Sequence, residues 1–270
     1  MAESVFDRGR FEAELATRVL GRALVVRARA GSTNDDAWEG LRAGGPSGLA
    51  VVADEQTRGR GRDGRTWTHA PGRSLALSVA LDAAPLGAHA ALAPLAAGVA
   101  LAASLEPLGV SPRLKWPNDV LLGGRKLAGV LCEARRLPGR GDALVVGAGV
   151  NVAQREGDFP PELAASAVSL RLAGVEAAIE DVAAAYLGAL EAWLDRLACG
   201  EGSALLEAWR ARAAHLGARV VVRGAAGALE GVAEDLDADG ALVLRRDDGA
   251  RVRVLAGDVL GAPHARAEVR

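Results

Sequence analysis

Cysteine is scarce in this chain, and its scarcity narrows the class of protein. Only Cys132 and Cys199 occur among 270 residues, too few for a disulfide framework or a cysteine-based zinc site. The first residues include acidic side chains and lack the apolar core of a secretory signal. We therefore expect a protein of a reducing compartment, the cytoplasm.

An excess of charge of one sign is also missing. The 32 basic and 34 acidic residues give a net charge of −2, so nothing attracts the chain as a whole to nucleic acid or to an anionic membrane. The most apolar run, residues 90–105, is rich in alanine and contains Pro94. Its length and composition favour a buried helix over a membrane span. We expect neither a nucleic-acid nor a membrane partner.

Aromatic residues make up only 3% of a chain that is half hydrophobic, so the core must be built from alanine, valine and leucine. Apolar spacing predicts helices over 11–20, 181–198 and 203–215, and the sequence STNDD at 32–36 predicts the capped start of another. Strands are expected over 23–27, 49–53, 74–81, 113–116, 120–122, 127–133 and 143–152. We predict an α+β domain over residues 1–215, with a mixed, mostly antiparallel sheet and helices on one side. Short β-like runs beyond 217 predict a small β-barrel over 217–263.

The glycine–arginine loop, residues 59–67, has the sequence GRGRDGRTW. Its glycines allow the backbone to close over an anion, and the guanidinium groups of Arg60, Arg62 and Arg65 can bind carboxylate or phosphate. A solvated loop without a ligand, or an RNA-binding segment, explains this stretch equally well by itself.

The chain has only two lysines, Lys115 and Lys126, and both lie in residues 113–129, RLKWPNDVLLGGRKLAG. A lysine suits a phosphoryl site because its ammonium group neutralises charge that develops on the phosphate oxygens. Lys126 follows a glycine turn and can do this, whereas Lys115 is equally well explained as structural. Asn118 and Asp119, taken alone, indicate a turn. Two glycines in the strand 143–152 indicate that something approaches its backbone closely.

The sequence contains no catalytic triad, no paired carboxylates and no metal-binding motif. The polar residues that stand out are cations and neutral hydrogen-bonding groups. Such a set fits a reaction in which a substrate carboxylate attacks a nucleoside triphosphate, because positioning and charge neutralisation supply most of that catalysis.

Five segments, in this order, strongly resemble those of the biotin protein ligases: residues 32–34 (STN), Gln56 with the glycine–arginine loop, 115–119 (KWPND), 124–129 (GRKLAG) and 147–151 (GAGVN). Members of that family convert biotin and MgATP into biotinoyl-5′-AMP. They then join biotin to a lysine of the biotin carboxyl carrier domain of acetyl-CoA carboxylase and related enzymes. Their α+β catalytic domain is followed by an SH3-like β-barrel, which the resemblance implies for residues 217–263.

The resemblance also implies roles for individual residues. Biotin is expected to contact Ser32, Thr33, Asn34, Gln56, Arg60, Gly61, Arg62, Lys126 and Gly129. The nucleotide is expected to contact Arg62, Trp67, Asn118, Lys126 and Asn151, with Asp119 as the candidate ligand of Mg²⁺. Lys126, facing the α-phosphate, and Arg62, on the closing loop, are the expected catalytic residues. Either a monomer or a homodimer is compatible with the sequence.

Two alternatives remain open. A lipoate or octanoate ligase or transferase shares the same scaffold, but octanoyl transfer uses a cysteine nucleophile, and Cys132 lies mid-strand like a core residue. The polar groups at 32–34 and Gln56 also suit a ureido ring better than an alkyl chain. A noncatalytic nucleic-acid-binding protein would use the glycine–arginine loop and the barrel, and the net charge disfavours it.

Because the chain begins close to the catalytic domain, the winged-helix repressor function of some family members is not expected.

Overall fold

Two β-sheets organise the chain in the computed structural model, which describes residues 4–68, 70–224 and 227–260. The large sheet has the strand order β1-β2-β3-β7-β6-β5-β4. Only the pair β1–β2 is parallel, so the sheet is mixed and mostly antiparallel, as predicted. Its strands are β1 (Leu24–Arg27), β2 (Leu49–Ala53), β3 (Ser74–Asp82), β4 (Arg113–Lys115), β5 (Asp119–Leu122), β6 (Arg125–Leu137) and β7 (Gly141–Asn151).

The small sheet is antiparallel, with the strand order β11-β10-β9-β8-β12. Its strands are β8 (Arg219–Gly224), β9 (Gly227–Leu236), β10 (Leu242–Arg245), β11 (Arg251–Val254) and β12 (Asp258–Leu260). The last of these was not expected from the sequence. The division at 215 and 217 remains a prediction, and residues 261–263 of the predicted barrel lie outside the described residues.

Five α-helices pack on the sheets in the described part of the chain: α1 (Arg8–Glu14), α2 (Thr33–Arg42), α3 (Ala93–Leu105), α4 (Ile179–Ala198) and α5 (Gly202–Arg212). Single turns of 3₁₀ helix occupy Arg62–Gly64, Glu106–Leu108, Glu156–Asp158 and Arg171–Ala173, and a longer 3₁₀ segment, Ala84–Leu92, leads into α3.

The N-terminal helix is shorter than predicted, and the helix expected over 11–20 was wrong beyond Glu14. The backbone N–H groups of Arg18, Val19 and Leu20 donate to the Glu191 carboxylate of α4 instead of to helical carbonyls. A carboxylate that accepts three backbone hydrogen bonds replaces the missing helical ones. The apolar spacing therefore reflects packing of a segment that is not helical.

The predicted placement of all helices on one side of the large sheet is also wrong. Helix α2 packs with Val51, Ala80 and Val145 on one face. The other helices pack with the alternate residues, such as Val52 and Val146, on the opposite face. Because every residue of β2 is buried, that strand is covered on both faces, as its unbroken apolar sequence allows.

Helix α3 forms the centre of the larger core, as the alanine-rich run predicted. One described helical stretch, Ala84–Leu108, is apolar and long enough to span a membrane, but 61% of its most apolar part is buried inside the protein. Its alanines let α3 approach α4 and the sheet closely, and Ala96, Ala97 and Ala100 have no exposed surface. We therefore identify it as a core helix.

His215 connects α5 to the small sheet and is 1% exposed. Its ring meets Trp209 edge to face, with 5.8 Å between the ring centroids, and neither ring nitrogen has a hydrogen-bond partner. Burial and, to a smaller extent, the charge of Lys115 together lower the pKa of His215 to about 4. The ring is therefore neutral in the folded protein at neutral pH.

This burial predicts a pH-dependent loss of stability. In the unfolded chain His215 binds a proton below its ordinary pKa of 6.5, but in the folded chain only below about 4. Falling pH between these values therefore favours unfolding, by up to about 3 kcal/mol. Urea unfolding at pH 7.5, 6.0 and 4.5 should show that His215→Leu loses less stability than wild type over this range. Equal losses in the two proteins would contradict the assignment.

Candidate active site

A cavity of about 570 Å³ opens beside the N-terminus of α2. Most of the rest of its lining comes from strands β4, β5, β6 and β7, the glycine–arginine loop, residues between 159 and 167, and β12 of the small sheet. All residues to which the resemblance gave a role line it: Ser32, Thr33, Asn34, Gln56, Arg60, Gly61, Arg62, Trp67, Asn118, Asp119, Lys126, Gly129 and Asn151. Residues that are up to 119 positions apart in the sequence thus face one space.

The N-terminus of α2 presents neutral polar groups to the cavity. Ser32 is the N-cap residue, but its side chain makes no capping hydrogen bond. Gln56 takes that role, because its Oε1 accepts from the backbone N–H of Thr33 at 2.9 Å. The Ser32 hydroxyl therefore stays available to a ligand.

The fully buried hydroxyl of Ser78 contacts the side chains of Thr33 and Asn34. Its Oγ lies 2.7 Å from Oγ1 of Thr33 and 2.6 Å from Oδ1 of Asn34. Because an amide oxygen can only accept, the Ser78 hydroxyl donates to Asn34. The Thr33 hydroxyl also lies 3.2 Å from Gln56 Oε1 and has one proton to donate. The Asn34 amide nitrogen faces two acceptors, the Leu131 carbonyl at 3.4 Å and Glu133 at 3.2 Å. The orientation of Asn34 is thus determined on both sides.

The glycines of β6 and β7 give room to two side chains. A Cβ atom on Gly147 would lie 2.2 Å from Asn34 Oδ1, and one on Gly149 would lie 2.3 Å from the Trp67 indole. The paired Gly129 borders the same indole, at 3.4 Å. The close approach predicted for this strand therefore exists, and the approaching groups are Asn34 and Trp67. The indole nitrogen of Trp67 is buried there without a hydrogen-bond partner.

Positive charge dominates the rest of the cavity. Six cationic side chains line it (Arg60, Arg62, Arg65, Arg113, Lys115 and Lys126), against one described acidic residue, Asp119. Lys126 Nζ lies 2.6 Å from Asp119 Oδ1 and 5.6 Å from the centre of the Trp67 ring. Lys115 is 4.0 Å from the same carboxylate. Such a surface favours an anionic ligand with several charged oxygens.

Two arginines anchor the glycine–arginine loop to the small sheet. Arg62 donates to the Gly257 carbonyl at 3.3 Å and lies 3.5 Å from the Asn118 side-chain oxygen. Arg65 donates to Asp258 at 2.7 Å, and this bond raises the pKa of Arg65. The loop therefore closes the cavity against the segment that leads into β12.

The amides of Asn118 and Asn151 bind protein groups in this structure. Asn118 Nδ2 donates to the Val130 carbonyl at 2.7 Å. Asn151 Nδ2 donates to Val168, and its Oδ1 accepts from Gln154 at 2.7 Å. These bonds hold neighbouring segments together around the cavity, so Asn151 contributes through positioning here.

Several residues near the ligand space were not found from the sequence. Ser78 and Glu133 orient Asn34, while Arg113, Val259 and Leu260 line the cavity. Ser78 pairs with Gly147 across β3 and β7. Gly147 was therefore the one signal in the sequence from which the position of Ser78 beside the cavity could have been inferred.

Cys132 has no part in the cavity. It lies on β6 between Leu131 and Glu133 and so points to the opposite face of the sheet, where it packs against the larger core. Burial and, to a smaller extent, the charge of Glu133 together raise the pKa of its thiol to about 12. At neutral pH the thiolate that a nucleophile requires is therefore not formed.

Known proteins match the chain over both sheets. The sequence model described as the biotin/lipoate A/B protein ligase family matches residues 26–151, and that of the biotin protein ligase C terminal domain matches residues 215–260. The biotin--[acetyl-CoA-carboxylase] ligase of Mycobacterium tuberculosis is 38% identical over 249 residues, covering 88% of this chain and 89% of that protein. The chain belongs to the biotin protein ligase family.

Two further relatives extend this comparison. The bifunctional ligase/repressor BirA of Bacillus subtilis is 32% identical over 248 residues, covering 91% of this chain and 76% of that protein. Among solved structures, biotin protein ligase from Aquifex aeolicus in complex with biotin and ATP superposes with a TM-score of 0.76. It is 28% identical, and the match covers 88% of this chain and 98% of that one.

The glycine at 149 predicts a measurable effect on the glycine–arginine loop. In Gly149→Ala the new Cβ would overlap the Trp67 indole, which must move and carry the loop with it. We expect trypsin to cleave after Arg62 and Arg65 about tenfold faster, the factor that corresponds to about 1.4 kcal/mol of lost packing. Mass spectrometry of timed digests measures the rate.

The control is Gly188→Ala in α4, where a Cβ meets nothing within 4 Å. That variant should keep the wild-type cleavage rate and unfold at slightly higher urea, since alanine favours helix over glycine. A wild-type cleavage rate in Gly149→Ala would show that Trp67 does not hold the loop.

Proposed function

We infer that the protein is a biotin protein ligase that adenylates biotin with ATP and transfers it to a lysine of a biotin carboxyl carrier domain. The observation that carries this inference is one cavity with two chemically different ends. The α2 end offers oriented neutral groups, and the other end offers cations. A molecule with a ureido ring and a carboxylate, lying beside a nucleotide, matches both ends.

The neutral end fits the ureido ring of biotin. That ring is uncharged, with two N–H donors and one carbonyl acceptor, and needs partners of both kinds in a pocket that excludes water. Ser32, Thr33, Asn34 and Gln56 supply hydroxyl and amide groups without charge. Because Ser78 and Glu133 fix the Asn34 amide, little rotational freedom is lost when a ring binds.

The cationic end fits the adenylation step. A carboxylate oxygen of biotin attacks the α-phosphorus of ATP, the new C–O–P linkage forms, and the bond to the β-phosphate oxygen breaks to release pyrophosphate. Lys126 and Arg62 are proposed to neutralise the charge that grows on the phosphate oxygens. Lys126 must then exchange Asp119 for phosphate, and Trp67 must leave the glycine surface to face adenine.

The transfer step needs an amine from the partner protein. The uncharged ε-amine of the carrier lysine attacks the acyl carbon of the anhydride, the C–N bond forms, and AMP leaves while the amine loses a proton. We propose the carrier domain of acetyl-CoA carboxylase as partner, in line with the name of the mycobacterial relative. The free thiols of Cys132 and Cys199 are in keeping with the cytoplasm as its compartment.

Magnesium is expected to enter with the nucleotide. The described residues include no group of three or more candidate metal ligands, and Asp119 is the single carboxylate proposed for the ion. Mg²⁺ is commonly held by one or two carboxylates together with substrate phosphates and water, so one carboxylate fits such an ion. Bound there, it would neutralise phosphate charge and occupy Asp119, while Lys126, released from that carboxylate, faces the phosphate oxygens.

Lipoate or octanoate is the disfavoured acid. The thiol that octanoyl transfer would require points away from the cavity, and the α2 end exposes hydrogen-bonding groups where an alkyl chain needs apolar ones. Both acids remain as substrates in the test below.

Pyrophosphate release from ATP tests the adenylation step. We expect release with biotin and none with octanoate or lipoate, and a fall of about 10²- to 10³-fold in Lys126→Ala, the usual loss when a group that stabilises transition-state charge is removed. Arg136→Ala is the matched control, since Arg136 lies on the same strand, is 81% exposed and is not in the cavity. No biotin-dependent release by the wild type would refute the proposed function.

Gly147→Ala tests the biotin end separately. The added Cβ would displace the Asn34 amide, so we expect the biotin KM to rise about 10- to 100-fold while the ATP KM changes little. Steady-state kinetics with each substrate varied in turn measures the split. Gly188→Ala should keep both constants, and an unchanged biotin KM in Gly147→Ala would remove Asn34 from the biotin site.

A further inference from the structure

Glu133 contacts two parts of the site at once, the neutral end and the glycine–arginine loop. Its Oε2 accepts from Asn34 Nδ2 at 3.2 Å and from Trp38 Nε1 at 2.9 Å. Its Oε1 accepts from Arg60 at 3.2 Å. One carboxylate thus binds both the amide at the neutral end and the first arginine of the glycine–arginine loop.

Each contact of Glu133 is oriented by its surroundings. Trp38 is completely buried, so its N–H group needs an acceptor and holds Oε2 in place. Arg60 is held from its other side by Asp35, with both carboxylate oxygens within 2.8 Å of its Nη1. Glu133 itself stands on β6 opposite Val145, on the face that α2 covers.

We propose that Glu133 is a positioning residue that couples biotin binding to closure of the glycine–arginine loop. Biotin that contacts Asn34 stabilises the amide orientation in which its nitrogen faces Oε2. This holds the carboxylate in the position where Oε1 receives Arg60, and the loop is favoured in its closed form. By reciprocity, a closed loop strengthens biotin binding.

An amide at this position cannot do the same. In Glu133→Gln one end of the side chain becomes an NH₂ donor, yet Asn34 and Trp38 need an acceptor at one end and Arg60 needs one at the other. Either the neutral end or the loop must lose its partner. The size of the side chain is unchanged, so packing is preserved.

Trypsin cleavage after Arg60, Arg62 and Arg65, with and without saturating biotin, measures the coupling. This experiment rests on the proposed function, because biotin is the ligand. In wild type we expect biotin to slow cleavage about tenfold, within the usual range of coupling between sites. In Glu133→Gln we expect a ratio near one and a biotin KM about tenfold higher.

Asp35→Asn is the control that separates coupling from simple anchoring. It weakens the other anchor of Arg60 without touching Asn34, so cleavage should become faster by the same factor with and without biotin. The protection ratio then stays at its wild-type value. If Glu133→Gln does not fold, Arg60→Gln removes the loop side of the bridge from a half-exposed position. Followed by cleavage after Arg62 and Arg65, this variant should lose the protection ratio in the same way.

The outcomes distinguish the two proposals. An active wild type without biotin protection, a wild-type ratio in Glu133→Gln, or equal loss of the ratio in Asp35→Asn would each overturn the coupling while leaving the ligase activity standing. A wild type that neither releases pyrophosphate with biotin nor is protected by it would overturn the proposed function itself.

Discussion

The site depends on small residues, one serine and three glycines, on one face of three neighbouring strands. On β3, β7 and β6 the residues Ser78, Gly147, Gly149 and Gly129 face the same side, as their pairing requires. A shift of one residue in register would place Leu77, Val146 and Ala148 there and fill the cavity. Pairing of these strands is therefore the condition for any ligand space.

That condition assigns stability and function to different faces of the sheet. The opposite face carries Leu75, Leu77, Val146 and Val150, all without exposed surface, against α3 and α4. Helix α2 covers only the part of the functional face around Val145. The N-terminal end of the helix lies beside the glycines of β6 and β7. Its N-terminus therefore points into the space that the glycines leave, and the polar residues of the STN segment stand at that point. The apolar face holds the sheet, while hydrogen bonds orient the functional face.

The motifs predicted the residues of the cavity better than they predicted the contacts between them. Segments such as KWPND and GRKLAG are contiguous, so their positions could be recognised without the fold. Ser78 and Glu133 were not found because each acts through Asn34, which is 44 residues from Ser78 and 99 residues from Glu133, and such pairing follows from register. The placement of α2 was wrong although β2, five apolar residues long, gave the indication. Strand β12 was missed because three residues carry almost no periodicity.

Three of the six cations of the cavity are held by carboxylates at hydrogen-bond distance before any ligand arrives. Arg60 binds Asp35 and Glu133, Arg65 binds Asp258, and Lys126 binds Asp119. These acids offset the mutual repulsion that six cations in one space would otherwise produce. A phosphate chain that enters replaces a carboxylate as the partner of such a cation. The gain in electrostatic energy is therefore smaller than the gain that an unpaired cation would have on binding phosphate. The gain comes from preorganisation: the cations already stand where an anion with several oxygens can meet them together. A single carboxylate can satisfy only one or two of them, which is why the cationic end suits a triphosphate and the neutral end must supply the recognition of the acid.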